Sequence, residues 1–600
     1  MFRYYAAIIM LCFVPPGISQ DSGDFEQITV VSNKPTMAYE VAFSVDQIDA
    51  EFIEKTQPKD LTSLLRENLA IDVSNNGGLG QLSSIFLRGS NSNHTLVKVN
   101  GIKINPSTAG GASIYNLDTQ LISNIEIGHG PLSSLHGSSA IGGVMNVSTF
   151  PKERVSDYLI GLNFGPDNYQ KKLIKLNHNI SQNTFLNFSS SETNTDGFPA
   201  LTNSDLDRGY ENNTFIGNFE MINDFVNLRF SSWFADGRVE YLVFGSPVSQ
   251  DYENHAYGLE AENFIENLLS YKINLSSSKD LIEQNNRNFL GQIDKTDTSR
   301  NYFELSLADI AIFKSPDRHV FGLNIEDEKI EYSSYGTIYN ETISTKSFFG
   351  SSIFEFSEAE LKTSFRNTDH DVYKSNMSWN IELLKGISRG WKIGILRGSS
   401  FRSPVSSELY GFGGNLNLEP EINRSTEVSL KRVEENFDLS LSVFQNDLTN
   451  LITFDYQDYV LKNISESSNK GLEIRYRLKT DKWDLSLILK SQRPEDNDGN
   501  QLLRRSKRSS SLTLTRDFQG ILSTLNVSSF GEKVDFGNIK LPSYSLINLS
   551  FLKELNRNTS ISLRLENILD KDYYTAASSN DFYLNQDRAL WLRLNHKFGK

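Results

Sequence analysis

Few residues of this 600-residue chain could do covalent chemistry. The single cysteine, Cys12, lies in an apolar N-terminal run, so disulfides, thiolate catalysis and cysteine-based metal sites fall away together. The eight histidines are scattered, with no H-E-x-x-H or paired-ligand spacing. Serine is plentiful, yet no G-x-S-x-G elbow occurs. Gly77, Gly78 and Gly80 imitate a phosphate-cradling loop but lack the Lys-Ser/Thr ending and the helix that should follow. Oxygen chemistry is left. Asp196, Asp205, Asp207 and Asp236 stand in polar stretches between β-prone runs. Calcium takes about six to eight oxygen ligands, so aspartates of neighbouring loops could share one ion and order those loops. The expectation is a binding protein, not an enzyme.

Those loops must hang on a β-rich frame. Phe and Tyr are abundant (38 and 24) while mean hydropathy is −0.38, which suits strands with one apolar and one wet face. A net charge of −15 offers no basic stripe for nucleic acid. From residue 151 onward the hydrophobic period is two. Tyr158, Ile160, Leu162 and Phe164 alternate with Leu159, Gly161 and Asn163, and Leu590, Leu592, Leu594 and Phe598 alternate with Trp591, Arg593, Asn595 and Lys597. A sandwich gives the same alternation with the opposite sense, so periodicity alone leaves both open. About 450 residues in strand-plus-loop units of roughly 20 make about 22 antiparallel strands. Residues 1–19 read as a signal peptide, with an apolar run too short to span a bilayer as a helix. Strands that close into a barrel can still cross a membrane, because closure satisfies every backbone polar group.

Residues 37–150 read as a separate α+β unit. Residues 41–67 have a helical pattern, with Ile48, Phe52 and Ile53 on one face. Pro58, Lys59 and Asp60 open a second helix that turns Leu61, Leu64 and Leu65 inward. Residues 71–74, 84–88 and 95–100 are β-prone, and Asn100-Gly101 predicts a type I′ hairpin turn into residues 102–104. Ahead of the unit, Ile28, Thr29, Val30 and Val31 form a short β-branched run in a polar lead.

The run QLSSIFLRGSNSNHTLVKVNGIKIN (residues 81–105), the turn Gly128-His129-Gly130-Pro131 and the close GSSAIGGVMN (137–146) resemble the plug domain of TonB-dependent outer-membrane receptors. Within that family they are most similar to its cobalamin-receptor branch. FRSP (401–404), ELYGFGGNLNLEPE (408–421), KGLE (470–473) and ENILDKDY (566–573) extend the resemblance over residues 26–598. The family usually ends on an aromatic residue, whereas Gly599 and Lys600 follow Phe598 here.

The resemblance implies a monomeric transmembrane β-barrel (151–600) of the bacterial outer membrane, contacting lipid and filled by the plug (37–150). Residues 20–36 would carry a TonB box, Ile28, Thr29, Val30, Val31 and Ser32, whose strand pairs edge-to-edge with periplasmic TonB and so with its inner-membrane energising complex. The implied ligand is cobalamin, resting on Asn76, Gln81, Leu82, Ser83 and Asn91 and on a second apex at Thr108 and Ala109. A haem or ferric-siderophore receptor is the alternative, although haem receptors usually place an axial histidine near residues 401–421, which contain none. A passive porin or adhesin would need neither box nor plug. Asp196 and Asp236 match carboxylates of a calcium site in the branch, with Asp205 and Asp207 nearby. The family also commonly locks its plug by pairing two arginines with two barrel glutamates. Arg88, Glu427 and Glu473 match three of these positions, and His129 stands at the fourth. Two buried carboxylates with one fixed cation leave a charge unpaired. The expectation is therefore that His129 sits beside a glutamate with a raised pKa, the contact loosening as pH climbs. The basic run at residues 502–508 reads as a strand entry facing water or lipid phosphate.

Overall fold

The computed structural model describes residues 28–29, 36–37 and 41–598 apart from 244–245, 266–268, 287–290, 309–317, 335, 389, 435 and 579–580. The signal-peptide segment, Val30, Val31 and Ser32 lie outside the described residues. Ile28–Thr29 forms a two-residue strand paired with Thr36–Met37.

Among the described residues, 22 antiparallel strands close into a barrel running from Asp157–Phe164 to Ala589–Phe598. Closure pairs the first strand with the last, Tyr158 opposite Phe598 and Phe164 opposite Leu592. The period-two reading holds: Ile160, Leu162 and Phe164 face outward, whereas Gly161 and Asn163 are buried against the interior. Strands join through short turns at one end and longer loops at the other, the asymmetry of outer-membrane barrels.

The plug fills the lumen. Its five-stranded sheet runs in the order Val45–Asp49, Asn124–His129, Gly143–Ser148, Thr95–Val99, Ile102–Lys103, with only the 143–148/95–99 pair parallel. Asn100 and Gly101 both have positive φ (50° and 84°), as a I′ turn demands. Two helices cover the sheet: α1 (Ala50–Thr56), capped by Asp49 accepting from the Phe52 amide (2.8 Å), and α2 (Leu61–Leu69), capped by Asp60 accepting from the Ser63 amide (2.6 Å). Leu61, Leu64, Leu65, Ile125 and Val147 pack in one core.

The helical reading of residues 41–67 needs correcting at its start. Val45–Asp49 is a strand, and helix begins only after the Asp49 cap. Pairing with Asn124–His129 satisfies that backbone and overrides a local spacing compatible with either structure.

Candidate functional site

Three regions of the plug–barrel boundary carry the functional geometry. The first is a buried charge cluster midway along the wall. Arg88 ends the strand–turn after Ser83–Phe86 and has left-handed backbone angles (φ 47°, ψ 44°), which cost a non-glycine residue on the order of 1 kcal/mol. The Arg88 carbonyl accepts from the Asn469 side-chain amide (2.6 Å), and its guanidinium stacks on Phe444 (4.3 Å). Arg88 donates to Glu427 (Nη1–Oε2, 2.7 Å) and to Glu473 (Nη2–Oε2, 2.9 Å). Its Nη2 also donates to Ser44 Oγ (2.9 Å), which donates to Glu427 Oε1 (2.6 Å). All four side chains are buried.

His129 does not complete this pairing as expected. Its Nε2 contacts Asp46 Oδ2 (2.7 Å) in the neighbouring plug strand, and its Nδ1 is buried with no hydrogen-bond partner among the described residues. A protonated ring would bury an unsatisfied N–H at Nδ1, so the neutral tautomer donating through Nε2 suits the site. Burial pushes the His129 pKa down, outweighing the pull of Asp46; the shift is opposite to the expected one. The second cation comes instead from the wall: Arg475 donates to Glu473 (3.1 Å) and to both Asp46 oxygens. Burial alone would raise the Asp46 carboxyl, but Arg475 and then His129 hold it well below the carboxylate range.

The second region is the entry of the chain into the plug, near the short-turn end. Lys431 donates to the carbonyls of Val41 and Phe43 (2.8 Å each), Ser429 donates to that of Ala42 (2.8 Å), and the Ala42 amide donates to Glu382 (3.2 Å). Gly394 permits this approach, since a Cβ there would stand 3.0 Å from Ala42 Cα. Residues 42, 44 and 46 lead from a bend at 41–43 into the strand Val45–Asp49. They engage Glu382 and Ser429, then Glu427, then Arg475, so the entry segment runs directly into the lock.

The third region is a cavity of about 520 Å³ at the long-loop end. Its floor is the two plug apices, including Asn76, Gln81, Leu82, Ser83, Thr108 and Ala109; its walls include Tyr241, Gln250 and Gln284. Gly80 turns the first apex with φ +71°, tight against Tyr210, where a Cβ would fall 2.0 Å from the ring. Gln81 donates to the Glu240 carbonyl (2.6 Å), and the Thr108 carbonyl accepts from Ser407 Oγ (2.5 Å), so both apices are braced by the wall. Asn91 is not in the lining. It caps a turn and accepts from Arg505 (2.5 Å), and Ser92 reaches the cavity instead.

Sequence reasoning missed several of these partners. Arg505, in the basic run assigned to water or lipid phosphate, is buried and donates to the Ser90 carbonyl (3.0 Å) with its guanidinium over Phe86. Arg504 pairs with Asp535 (2.8 Å). Other plug–wall pairs are Glu67–Arg564 (2.5 Å), Lys59–Glu566 (2.9 Å), Asp118–Lys171 (2.9 Å) and Lys103–Glu326 (3.0 Å). Their only sequence signal is a charge at an inward position of the strand alternation.

The four loop aspartates do not come together as a calcium site. Asp196 accepts from Asn168 (2.5 Å), and Asp236 projects on the outward side of its strand beside Asn213 (3.3 Å). Asp205 and Asp207 are exposed. No group of three or more His, Cys, Asp or Glu side chains among the described residues could hold a metal ion. Among the described residues the side chains do not gather as the implied ion would need.

A closed 22-stranded barrel occluded by a plug that is bolted to its wall defines a gated outer-membrane receptor rather than an open pore. The chain belongs to the TonB-dependent receptor family: residues 149–568 match the family described as TonB dependent receptor-like, beta-barrel, and residues 38–144 match the TonB-dependent Receptor Plug Domain. It is similar to the vitamin B12 transporter BtuB of Vibrio vulnificus, 26% identical over 93% of each chain. It also resembles BtuB of Photobacterium profundum, 24% identical over 99% of each. Similar solved structures include Pseudomonas aeruginosa FpvA bound to heterologous pyoverdines (TM-score 0.82, 13% identity, 97% of this chain and 90% of that one). The FrpB iron transporter of Neisseria meningitidis is another (TM-score 0.80, 13% identity, 93% and 100%). At such identity these structures share the fold alone.

Proposed function

We propose that this receptor imports a corrinoid, cobalamin or a close relative, seated on the two plug apices and drawn inward by TonB. The carrying observation is the chemistry of the cavity. Its lining offers amides (Asn76, Gln81, Gln250, Gln284), hydroxyls (Ser83, Ser92, Thr108, Ser113) and Tyr115, Tyr241 and Tyr583. Among the described residues it contains no lysine, arginine or histidine, and its one charged residue there is Asp280. Such a surface complements an uncharged ligand edged with carboxamides, as a corrinoid is. Among the described residues it offers no counter-charge to a ferric catecholate or to haem propionates, and no histidine to haem iron. A corrinoid exceeds a cavity of this size, so part of it would stand above the apices among the long loops. The relatives named as vitamin B12 transporters span nearly the whole chain and support the same assignment.

TonB is the proposed source of force, acting on residues 28–32 through strand pairing. Ligand binding at one end and traction at the other would meet at Ser44 and Asp46, which touch the lock directly. The test is calorimetric titration of cyanocobalamin, haemin and a ferric catecholate into the purified protein, with corrinoid uptake in cells lacking residues 26–32. Cyanocobalamin binding with uptake lost on that deletion is the expected result. Tight binding of haemin or of the ferric catecholate in its place would overturn the substrate, and uptake surviving the deletion would overturn the coupling.

A further inference from the structure

Asp280 sits on strand Leu269–Asn285 at the cavity wall and is 5% exposed. Its Oδ2 accepts from the Asn254 amide (2.7 Å) and from Ser113 Oγ (3.4 Å). Its Oδ1 has no hydrogen-bond partner among the described residues. Both neighbours are neutral and both belong to the second plug apex or its support. Tyr115 donates to Ser113 (3.3 Å), and Asn254 accepts from the Asn116 amide (2.8 Å). Arg300, a wall cation on the neighbouring strand, is committed to Glu326 (2.9 Å), to Glu328 and to the Asn105 carbonyl (2.7 Å). A carboxylate enclosed among neutral donors with one oxygen unsatisfied is costly, and its charge is poorly screened. A ligand donor would relieve that cost, and a ligand anion would increase it.

Resting on the assignment of this cavity to an uncharged, amide-edged ligand, we propose that Asp280 is a specificity-determining residue. Its free oxygen accepts an N–H of the ligand, and its charge turns away ligands that bring a carboxylate or catecholate to the same place. Because Ser113 shares the carboxylate, the ligand contact also bears on the second plug apex.

The experiment uses the purified full-length protein and Asp280→Asn, which keeps the side chain's shape and its neutral contacts. Retained folding is read from heat-modifiable migration, and Asp280→Ser replaces the asparagine variant if that one does not fold. Asn254→Ala is the control that removes a neutral contact and keeps the charge. Cyanocobalamin and its monocarboxylic derivatives, each with one carboxamide hydrolysed, are titrated in turn. The native protein should prefer cyanocobalamin over at least one monocarboxylate by roughly ten- to hundredfold, the worth of a hydrogen bond to a charged group. Asp280→Asn should reduce that ratio to about threefold or less, and Asn254→Ala should keep it. An unchanged ratio in Asp280→Asn overturns the role of Asp280 while leaving the corrinoid assignment standing. If the native protein takes no cyanocobalamin, the corrinoid assignment fails. Asp280 is then judged on haemin and a ferric tricatecholate: roughly tenfold tighter binding of either by Asp280→Asn supports it, and equal binding overturns it.

Discussion

Arg475 of the barrel wall stands between Glu473 on its own strand, 3.1 Å away, and Asp46 of the plug, so the lock takes one cation from each side of the boundary. Arg88 cannot serve two buried glutamates and Asp46 as well. With Arg475 present, three carboxylates face two guanidiniums, and the neutral His129 supplies a donor to the third. Such pairs add little net stability, but removing one partner strands a buried charge, at about 3–5 kcal/mol.

Arg475→Met should therefore loosen the plug by about that amount, and adding Asp46→Leu should recover part of the loss by removing a stranded carboxylate. Hydrogen exchange of residues 41–49 is the measurement. A single variant that exchanges like the native protein would show that Arg88 suffices.

The pH dependence follows from a His129 pKa held below its ordinary value of about 6.5. The unfolded chain takes up the proton more readily than the folded one. The contribution of His129 is thus complete above the ordinary value and is lost as pH falls through it toward the folded value. Protection factors at residues 41–49, corrected for the intrinsic pH dependence of amide exchange, should be lower at pH 5 than at pH 7.5 in the native protein, and His129→Asn should lack that acid sensitivity. Loosening toward alkaline pH would reverse the assignment.

Lys431 of the wall satisfies the carbonyls of Val41 and Phe43 in the plug. Lys431→Met should leave both unsatisfied, at about 1–3 kcal/mol each, and expose the entry segment to protease while ligand affinity stays unchanged. Equal protease resistance would mean that water or a neighbouring donor takes over.

At the cavity, Ala109→Trp should abolish cyanocobalamin binding by filling the second apex, whereas Asn91→Ala should leave it within about twofold, since Asn91 faces Arg505. Binding lost in Asn91→Ala alone would return that residue to the ligand surface.

Removing calcium with a chelator should leave the cyanocobalamin affinity unchanged, because Asp196, Asp205, Asp207 and Asp236 do not converge. A tenfold loss would show that the loops rearrange to gather them when the ion is present.

The barrel was readable because its signal is local and repeated: Ile160, Leu162 and Phe164 declare a strand without knowledge of their neighbours. The first plug strand was not. Ile48, Phe52 and Ile53 satisfy a helical spacing, and only the pairing of Gln47 with Glu126, 79 residues onward, decides otherwise. The cavity apices follow from the family resemblance, yet Asn91 and Ser92 cannot be told apart in the sequence, because adjacent residues of a turn differ in direction and not in type. Arg475 looks like any other inward polar residue of an alternating strand, and Arg505 lies in a basic run that reads as a strand entry facing water or lipid phosphate. Nothing local marks which inward residue meets a plug carboxylate.

The plug occupies the N-terminal quarter of the chain, whereas Glu473, the partner of Arg88, lies 385 residues downstream. The ring of strands closes only when Phe598 meets Tyr158. During synthesis the plug therefore exists before the wall that neutralises it, with Arg88, Asp46 and Glu67 still hydrated. Those long-range contacts carry a large closure entropy and cannot guide the early steps, which fall to hairpins between neighbouring strands. The charged boundary can therefore give up its water only after the wall strands that carry Glu427, Glu473, Arg475 and Arg564 have come into place around the plug.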